Sequence, residues 1–436
     1  MLAGLVVADD LTGACDTGHE FATRGYHTRV TREPASSPTD ADVLVVDTDS
    51  RYAPTEAAAD AVRAAVESYP AETLYKKVDS TLRGNLAAEV EAALRALLDR
   101  QGRDGQPGGS KADGLALVAP ATPATGRTTA CGIHLVEGEL VTDTEPGRDP
   151  DKGPPSPRLP ALFDDVDLPV EHLEIQTVAA GPEAVADRLH SPGSGPRIVT
   201  ADATHERHLR AVAAGVDRLD EPAVYVGSAG LAGHVPVAVP SAGPEEGVTP
   251  AAPDDRAGVL GVAGSVAPQT LAALEAIPRG MLAVLDVEAA VADPEGTVAE
   301  ATRRVRDVLT AEGRAVVTAA SDDAAVDRAL EAGRQAGLAD RETRDRVADA
   351  LARTAGGVVD VADPAGLFLT GGDTAATVLE TIDADAIVLS GEAVENGIPL
   401  GTVEGGSADG AALVTKAGAF GDRETVINCL DRLQDV

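Results

Sequence analysis

Residues 74–86, read as LYKKVDSTLRGNL, are the stretch that decides the fold. The stretch opens with apolar residues, as a buried strand would, and from Leu86 onward apolar residues recur at three- and four-residue steps, which predicts a helix. In a parallel α/β sheet, ligands bind outside the carboxyl ends of the strands, where such strand-to-helix turns lie. The turn is dense in side chains that bind ligands: Lys76, Lys77, Asp79, Ser80, Thr81, Arg83 and Asn85.

The scarcity of lysine favours a ligand site over the alternative of a solvated, charged loop. The chain has five lysines among its 436 residues, and two of them are adjacent in this turn. Amide groups at the start of the following helix would add to the attraction for an anion.

Polar side chains of the same kinds follow other predicted strands. The first strand leads directly into Asp9 and Asp10, of which one would suffice to cap the next helix while the other is available for chemistry. Arg51 follows the next strand, and Arg127 follows a proline-rich turn after a later one. Because the carboxyl ends of parallel strands share one edge of a sheet, we expect these side chains to lie near the central turn.

The charge of the chain excludes some classes of partner. With 71 acidic and 36 basic residues the net charge is −35, so we expect neither nucleic acid nor an anionic membrane to bind. This acidic, lysine-poor composition is typical of a halophilic protein, and an ordinary acidic cytosolic protein is the alternative. Three widely spaced cysteines indicate free thiols in a reducing cytoplasm. The amino terminus is interpreted as a strand rather than a signal peptide, and no apolar run approaches transmembrane length.

Length and periodicity predict an α/β protein of two domains. A chain of 436 residues is too long for one ordinary core. Residues 241–258 are rich in Pro, Gly and acidic residues and lack periodicity, which predicts a linker. Strands and helices alternate within 1–240 and within 259–436, so each domain is expected to hold a mainly parallel sheet flanked by helices. Residues 101–113 are interpreted as a flexible surface insertion.

Three glycine-rich turns at strand ends predict a nucleotide phosphate site in the second domain. Glycines let backbone amides approach a phosphate closely, and the following helix adds its positive end. The chain has no GxxxxGK[ST] sequence, and the glycines of 227–233 lack dinucleotide-binding spacing, which argues against a P-loop protein and a dehydrogenase. The three turns are Gly264-Ser265, Gly371-Gly372-Asp373-Thr374 and Lys416-Ala417-Gly418-Ala419-Phe420-Gly421.

In their order along the chain, the segments ADDLTGA, KKVDSTLRG, PATPATGR, GSVAP, GGDT and KAGAFG resemble the four-carbon acid sugar kinase family. The resemblance spans nearly the whole chain. It implies a sugar-acid domain followed by an ATP domain, and phosphorylation of the terminal (4-) hydroxyl of 3-oxo-tetronate, threonate or erythronate. Asp373 stands where Glu is common in the family, and this departure leaves the exact substrate open.

The resemblance also implies the ligand contacts, residue by residue. Substrate contacts fall at Asp9, Arg51 and the segment Asp79 to Leu82. Nucleotide contacts fall at Ser265, at Gly371 to Thr374, and near Gly418 to Gly421.

The chemistry of the residues agrees with these contacts. Arginine forks suit a carboxylate, and Asp, Ser and Thr suit hydroxyls. We expect Asp9 or Asp10 to orient or deprotonate the reacting hydroxyl, with Asp79 as a further candidate. Mg²⁺ would bridge the ATP phosphates with few protein ligands. The expected substrate-binding set is Asp9, Arg51, Lys77, Asp79, Ser80, Thr81, Leu82, Arg83 and Arg127.

Two questions stay open at this stage. A non-catalytic protein that senses a sugar acid and a nucleotide is the alternative to a kinase. The sequence does not decide the oligomeric state, a homo-oligomer included.

Overall fold

The computed structural model describes most of the chain, in two compact units. The division falls between Pro244 and Glu245, inside the predicted linker, most of which lies outside the described residues. Independent folding of the two halves stays a prediction. The described residues are 1–32, 40–103, 113–190, 195–238, 256, 258–320, 322, 324–418 and 420–436.

The amino-terminal unit alternates strands and helices, as its periodicity predicts. Its strands are β1 (Leu2–Ala8), β2 (Thr28–Thr31), β3 (Val43–Asp47), β4 (Ala71–Lys77), β5 (Gly114–Ala119), β6 (Arg127–Ala130), β7 (Ile133–Val136), β8 (Glu139–Leu140), β9 (Val170–Leu173), β10 (Pro196–Ala201) and β11 (Ala223–Gly227). Its helices are α1 (Leu11–Ala22), α2 (Thr55–Ser68), α3 (Leu86–Arg103), α4 (Ile175–Ala179), α5 (Pro182–Leu189), α6 (Glu206–Val216) and α7 (Ala229–Ala232).

The main sheet of this unit is parallel and runs in the order β2-β3-β1-β4-β11-β5-β10-β9. β1 therefore lies between β3 and β4. The polar turns that follow these three strands open on the same edge of the sheet, as expected for parallel strands. A separate antiparallel sheet of β6, β7 and β8 includes a hairpin that turns at Glu137 and Gly138.

The helices bury apolar stripes against this sheet. In α3, Val90 and Leu94 are fully buried, and they pack in one core cluster with Val118 of β5. Each such side chain stabilises the fold by about 1.5–3 kcal/mol relative to an exposed one. The core thus fixes α3 on the sheet, and α3 holds the turn that precedes it.

The carboxyl-terminal unit is a second α/β layer structure. Its strands are β12 (Val259–Ala263), β13 (Leu282–Val284), β14 (Arg314–Thr318), β15 (Gly366–Thr370), β16 (Ala386–Glu395), β17 (Ile398–Glu404) and β18 (Ala412–Lys416). Its helices are α8 (Pro268–Ala276), α9 (Val287–Ala292), α10 (Pro294–Glu312), α11 (Ala324–Gln335), α12 (Asp340–Ala362), α13 (Gly372–Thr381) and α14 (Thr425–Gln434).

The sheet of this unit runs in the order β13-β14-β12-β15-β18-β17-β16. The first five strands are parallel, whereas β17 is antiparallel to both β18 and β16. The predicted fold class, α/β with mainly parallel sheets, is therefore confirmed. In the described part of the chain, no helix combines the length and the apolar composition that crossing a membrane requires.

Candidate functional site

The carboxyl ends of three adjacent strands bring together an arginine and three carboxylates. Arg51 lies in the turn after β3, Asp9 and Asp10 follow β1, and Asp79 follows β4. The Arg51 Nε donates to Asp9 Oδ2 at 2.7 Å, and its Nη2 donates to Asp9 Oδ1 at 3.0 Å and to Asp10 Oδ1 at 2.6 Å. The Arg51 Nη2 also lies 3.7 Å from Asp79 Oδ1.

A second bidentate arginine contact joins two residues of the central turn, which links β4 to α3. Arg83 Nε donates to Asp79 Oδ2 at 2.8 Å, and Arg83 Nη2 donates to Asp79 Oδ1 at 3.1 Å. The Thr81 hydroxyl donates to the same carboxylate. Leu82 adopts a left-handed backbone (φ 64°) and is buried, so its part in the turn is to shape the backbone. This strained turn presents the backbone of residues 80–83 at the sheet edge.

Both arginines change the acidity of their partners. Burial raises the pKa of the Asp9 and Asp79 carboxyls. The neighbouring Arg51 and Arg83 outweigh this effect and hold the pKa of Asp9 below, and that of Asp79 well below, the usual range. The two carboxylates are therefore ionised at neutral pH and hydrogen-bonded to these arginines.

The adjacent lysines of the turn point to opposite faces of β4 because successive side chains alternate along a strand. Lys76 is fully buried and pairs with Glu89 of α3 at 3.1 Å. Lys77 is 4% exposed, and its ammonium makes no hydrogen bond or ion pair with any residue that the structure describes. Lys77 is thus a cation with its hydrogen-bonding capacity still available.

A buried histidine of β7 supports the central turn. His134 Nε2 lies 2.9 Å from the Ser80 carbonyl oxygen, and its Nδ1 lies 2.9 Å from Thr129 Oγ1. Burial lowers the pKa of His134 to about 4, so the ring is neutral, donating from Nε2 to Ser80 and accepting from Thr129. The Ser80 hydroxyl itself has no hydrogen-bond partner among the described residues.

Two further contacts complete this edge. Arg127 begins β6, donates to the Thr125 carbonyl and interacts electrostatically with Asp79. Lys152, from the long loop after β8, donates to Asn85 Oδ1 at 2.7 Å, while Asn85 Nδ2 donates to the Ser50 carbonyl at 2.8 Å. The structure therefore gathers at one edge the expected set of Asp9, Asp10, Arg51, Lys77, Asp79, Ser80, Thr81, Leu82, Arg83 and Arg127.

In the carboxyl-terminal unit the three glycine-rich turns follow the adjacent strands β12, β15 and β18 and pack on one another. A side chain at Gly418 would overlap Ser265 Oγ. Gly371 has φ 97°, and a Cβ there would lie 3.1 Å from the Ser265 backbone nitrogen. The Ser265 Oγ accepts from the Ala267 amide at 3.2 Å. This close backbone packing, called the glycine cradle, leaves no room for side chains at Gly371 and Gly418. Its role as a phosphate site stays a prediction.

Lys416 holds this cradle rather than projecting from it. Its buried ammonium lies 3.1 Å from both Thr270 Oγ1 and the Ala417 carbonyl, 3.2 Å from the Gly418 carbonyl and 3.0 Å from the Phe420 carbonyl. Burial lowers the pKa of Lys416 to about 8. Lys416, part of a predicted phosphate turn, thus shapes that turn through carbonyl oxygens, and its contact with a nucleotide stays a prediction.

The remaining predicted nucleotide residues lie around the cradle. Gly372, Asp373 and Thr374 form the first turn of α13, whose amides lack intrahelical partners, and the Asp373 side chain is exposed. Phe420 and Gly421 continue the last turn, and Ala419 lies outside the described residues. Within the described ranges no group of three His, Cys, Asp or Glu side chains is placed to hold a metal ion.

Sequence reasoning missed several residues of the first site. His134 and Lys152 reach it from the hairpin and from a loop, and no local pattern marks them. Glu89 carries a weak signal, since it lies one turn into α3 after the two lysines. Asp16 had a clearer one, because it stands three residues after Gly13 on α1, and residues three apart are neighbours on a helix face.

Comparison with known proteins gives matches over both units. Residues 4–235 match a family model described as a sugar-binding N-terminal domain, and residues 260–426 match a nucleotide-binding C-terminal domain. D-threonate kinase from Salmonella typhimurium is 32% identical, covering 99% of this chain and 98% of that protein. D-erythronate kinase from Heliobacterium modesticaldum is 31% identical, covering 98% and 96%. The fold is similar to the crystal structure of a Haemophilus influenzae protein, with a TM-score of 0.70 and 19% identity, covering 98% of this chain and 100% of that chain.

Proposed function

We propose that this chain, which belongs to the four-carbon acid sugar kinase family and is a phosphotransferase, transfers a phosphoryl group from ATP to the terminal 4-hydroxyl of a four-carbon sugar acid. Threonate, erythronate and 3-oxo-tetronate are the candidate acids. D-Threonate comes first because a relative with that activity in its name is 32% identical over nearly the whole chain.

The observation that carries the proposal is the edge formed by β3, β1 and β4. A small sugar acid has one carboxylate and several hydroxyls. The edge offers Lys77 and two forked arginines for the carboxylate, and the Ser80 hydroxyl and the surrounding carboxylates for the hydroxyls. Because Asp9 and Asp79 already fix Arg51 and Arg83, we assign them to positioning these cations against the acid.

The cradle of Ser265, Gly371 and Gly418 supports ATP as the phosphoryl donor. Phosphoryl transfer chiefly needs positioned phosphates and neutralised charge rather than covalent chemistry by the protein. The positive end of α13 and the close glycine turns suit the phosphates. Mg²⁺ would neutralise charge on the phosphates, held mainly by phosphate oxygens and water.

The proposed setting is the cytoplasm, where ATP is available. The described cysteines form no disulfide, and Cys15 and Cys429 are buried. A reducing compartment keeps thiols from forming disulfides.

A coupled assay for ADP tests the proposal. Purified full-length protein is incubated with ATP, Mg²⁺ and, in turn, both enantiomers of threonate and erythronate and the 3-oxo-tetronates. We expect ADP formation that depends on one of these acids. A folded protein that binds an acid and ATP but releases no ADP with any of them would support a sensor and overturn the kinase assignment.

A further inference from the structure

The carboxylates predicted to activate the hydroxyl are already occupied by protein donors. Asp9 accepts two hydrogen bonds from Arg51, and Asp79 accepts a fork from Arg83. Asp10 accepts from Arg51 at 2.6 Å, from Thr12 Oγ1 at 2.7 Å and from the Gly13 amide at 3.2 Å. A carboxylate held in this way has little capacity left to take a proton from a substrate.

Asp16 differs from these three carboxylates. Its side chain is partly buried on α1 and makes no hydrogen bond or ion pair with any described residue. Asp16 lies on the same helix face as Gly13, one turn further along α1. Its two oxygens are therefore free to accept from a bound ligand.

The ammonium of Lys77 marks where that ligand would lie. A Cβ on Gly13 would lie 2.5 Å from Lys77 Nζ and would also overlap Asp10 Oδ1, so the ammonium rests directly on the first turn of α1. Lys77 is 4% exposed and has no partner among the described residues. The Lys77 ammonium thus lies against the face of α1 that carries Asp16, about one helical turn from it, and neither group is hydrogen-bonded to a described residue.

The charges around Asp16 set its acidity. Burial raises the pKa of Asp16 to about 7, and Lys77 on β4 is the largest influence in the opposite direction. Glu20 and Asp10 on the α1 face raise the pKa further, while Arg127 on β6 lowers it. The Tyr75 hydroxyl of β4 also interacts electrostatically with Asp16. A base poised near the working pH combines the ionised form with a useful proton affinity.

We infer that Asp16 is the general base of the reaction. This inference rests on the proposed kinase function. The Asp16 carboxylate takes the proton of the acceptor hydroxyl as that oxygen forms a bond to the γ-phosphorus of ATP. The bond between this phosphorus and the β,γ-bridging oxygen breaks, and the electron pair leaves with ADP. Lys77 holds the anionic substrate beside Asp16.

The test compares Asp16→Asn with Glu20→Gln, a neighbouring carboxylate of the same helix, in steady-state kinetics from pH 5.5 to 9. In the wild type, kcat should fall as the pH drops below about 7, because Asp16 becomes protonated. Asp16→Asn should lose on the order of 10²–10⁴-fold in kcat and lose this acid limb. Calorimetric Kd values for the acid and for ATP should change little, since the base acts in the transition state.

Glu20→Gln should keep kcat and move the acid limb to lower pH, because removing a negative neighbour lowers the pKa of Asp16. If Asp16→Asn does not fold, Asp16→Glu decides the matter: it retains a carboxylate and should keep an acid limb at reduced kcat. A folded Asp16→Asn with nearly normal kcat, an acid limb retained in Asp16→Asn, or an acid limb absent from Asp16→Glu would overturn the base assignment alone. A wild type that consumes no ATP with any tetronate would overturn the proposed function and the base assignment with it.

Discussion

Arg51 and Arg83 stabilise a dense group of buried carboxylates, and the charges at this edge depend on one another. Moving an ion out of water costs several kcal/mol unless partners replace the lost hydration. Asp9 and Asp79 have such partners in the two forks. Lys77 makes no hydrogen bond or ion pair with a described residue and acts on Asp9, Asp16 and Asp79 only electrostatically, so an anionic ligand would fill its hydrogen-bonding positions.

Asp79→Asn should destabilise the protein in a pH-dependent way. At pH 7 the change leaves Arg83 without its anion and should cost about 3–5 kcal/mol in free energy of unfolding. Because the folded pKa of Asp79 lies well below its unfolded value of about 3.9, its stabilisation is present above that pH and is lost as the pH falls toward the folded pKa. The stability difference between wild type and variant should therefore narrow below pH 4.

Urea unfolding at pH 7 and across pH 3–5 measures this difference. The matched control is Asp60→Asn, since Asp60 pairs with Arg63 on the surface of α2 and should contribute about 0–1 kcal/mol. Equal destabilisation by both substitutions, or a gap that does not change with pH, would contradict the structural assignment of Asp79.

Arg83→Lys should weaken binding of the acid more than binding of ATP. Lysine keeps the charge but cannot form the planar fork that Arg83 makes with Asp79. Losing a charged hydrogen bond costs about 1.5–3 kcal/mol, so the KM for the acid should rise roughly tenfold or more. Arg95→Lys, in an exposed pair with Glu91 on α3, is the control. Equal increases in the KM for the acid and the KM for ATP would contradict a role for Arg83 in binding the acid.

Among single residues of the site, those that directly follow strands could be predicted from the sequence. Those that a distant hairpin or loop contributes were missed. Asp9, Arg51 and Asp79 could be found because strand ends mark the binding edge of a parallel sheet. His134 and Lys152 arrive through tertiary packing of a hairpin and a loop. The hydrogen bonds that Asp9 and Asp79 accept could not be predicted either, because they depend on the side-chain conformations of Arg51 and Arg83.

The glycine turns of the carboxyl-terminal unit act as one element, and Gly371→Ala tests them. A Cβ there would face the Ser265 nitrogen at 3.1 Å on a backbone with φ 97°. We expect the strain of about 1–2 kcal/mol to displace the turn that binds ATP. The KM for ATP should then rise roughly 5- to 30-fold, and the KM for the acid should change little. Gly410→Ala has a similar positive φ of 81° in open space and should leave the KM for ATP unchanged. Equal KM values in both variants would speak against the cradle.

Most helices and strands followed from periodicity, and the exceptions have physical causes. The strand β16 continues to Glu395 and pairs with the antiparallel β17. This hairpin was missed because its far part is polar and exposed, so alternation is weak there. β2, with four residues, is too short to give a periodic signal. The parallel core strands were found because they are buried on both faces and are continuously apolar.

The net charge of the whole molecule predicts that salt stabilises it. With 71 acidic and 36 basic residues, repulsion is strongest where the screening length is long, about 30 Å at 0.01 M and about 10 Å at 0.1 M salt. The Tm should rise with KCl over this range and toward molar salt, as proposed for a halophilic protein. Differential scanning calorimetry in a KCl series measures it, and a constant Tm would refute the prediction.

The central claim is transfer of a phosphoryl group from ATP to the terminal hydroxyl of a four-carbon sugar acid. Proton-coupled ³¹P NMR of the reaction with D-threonate, and with each related acid in turn, tests it most directly. We predict that the ATP resonances are replaced by those of ADP and of one new phosphomonoester, split into a triplet by the two protons of the adjoining CH₂ group. A doublet would show transfer to a secondary hydroxyl, and the absence of any new phosphomonoester with every acid would contradict the kinase assignment.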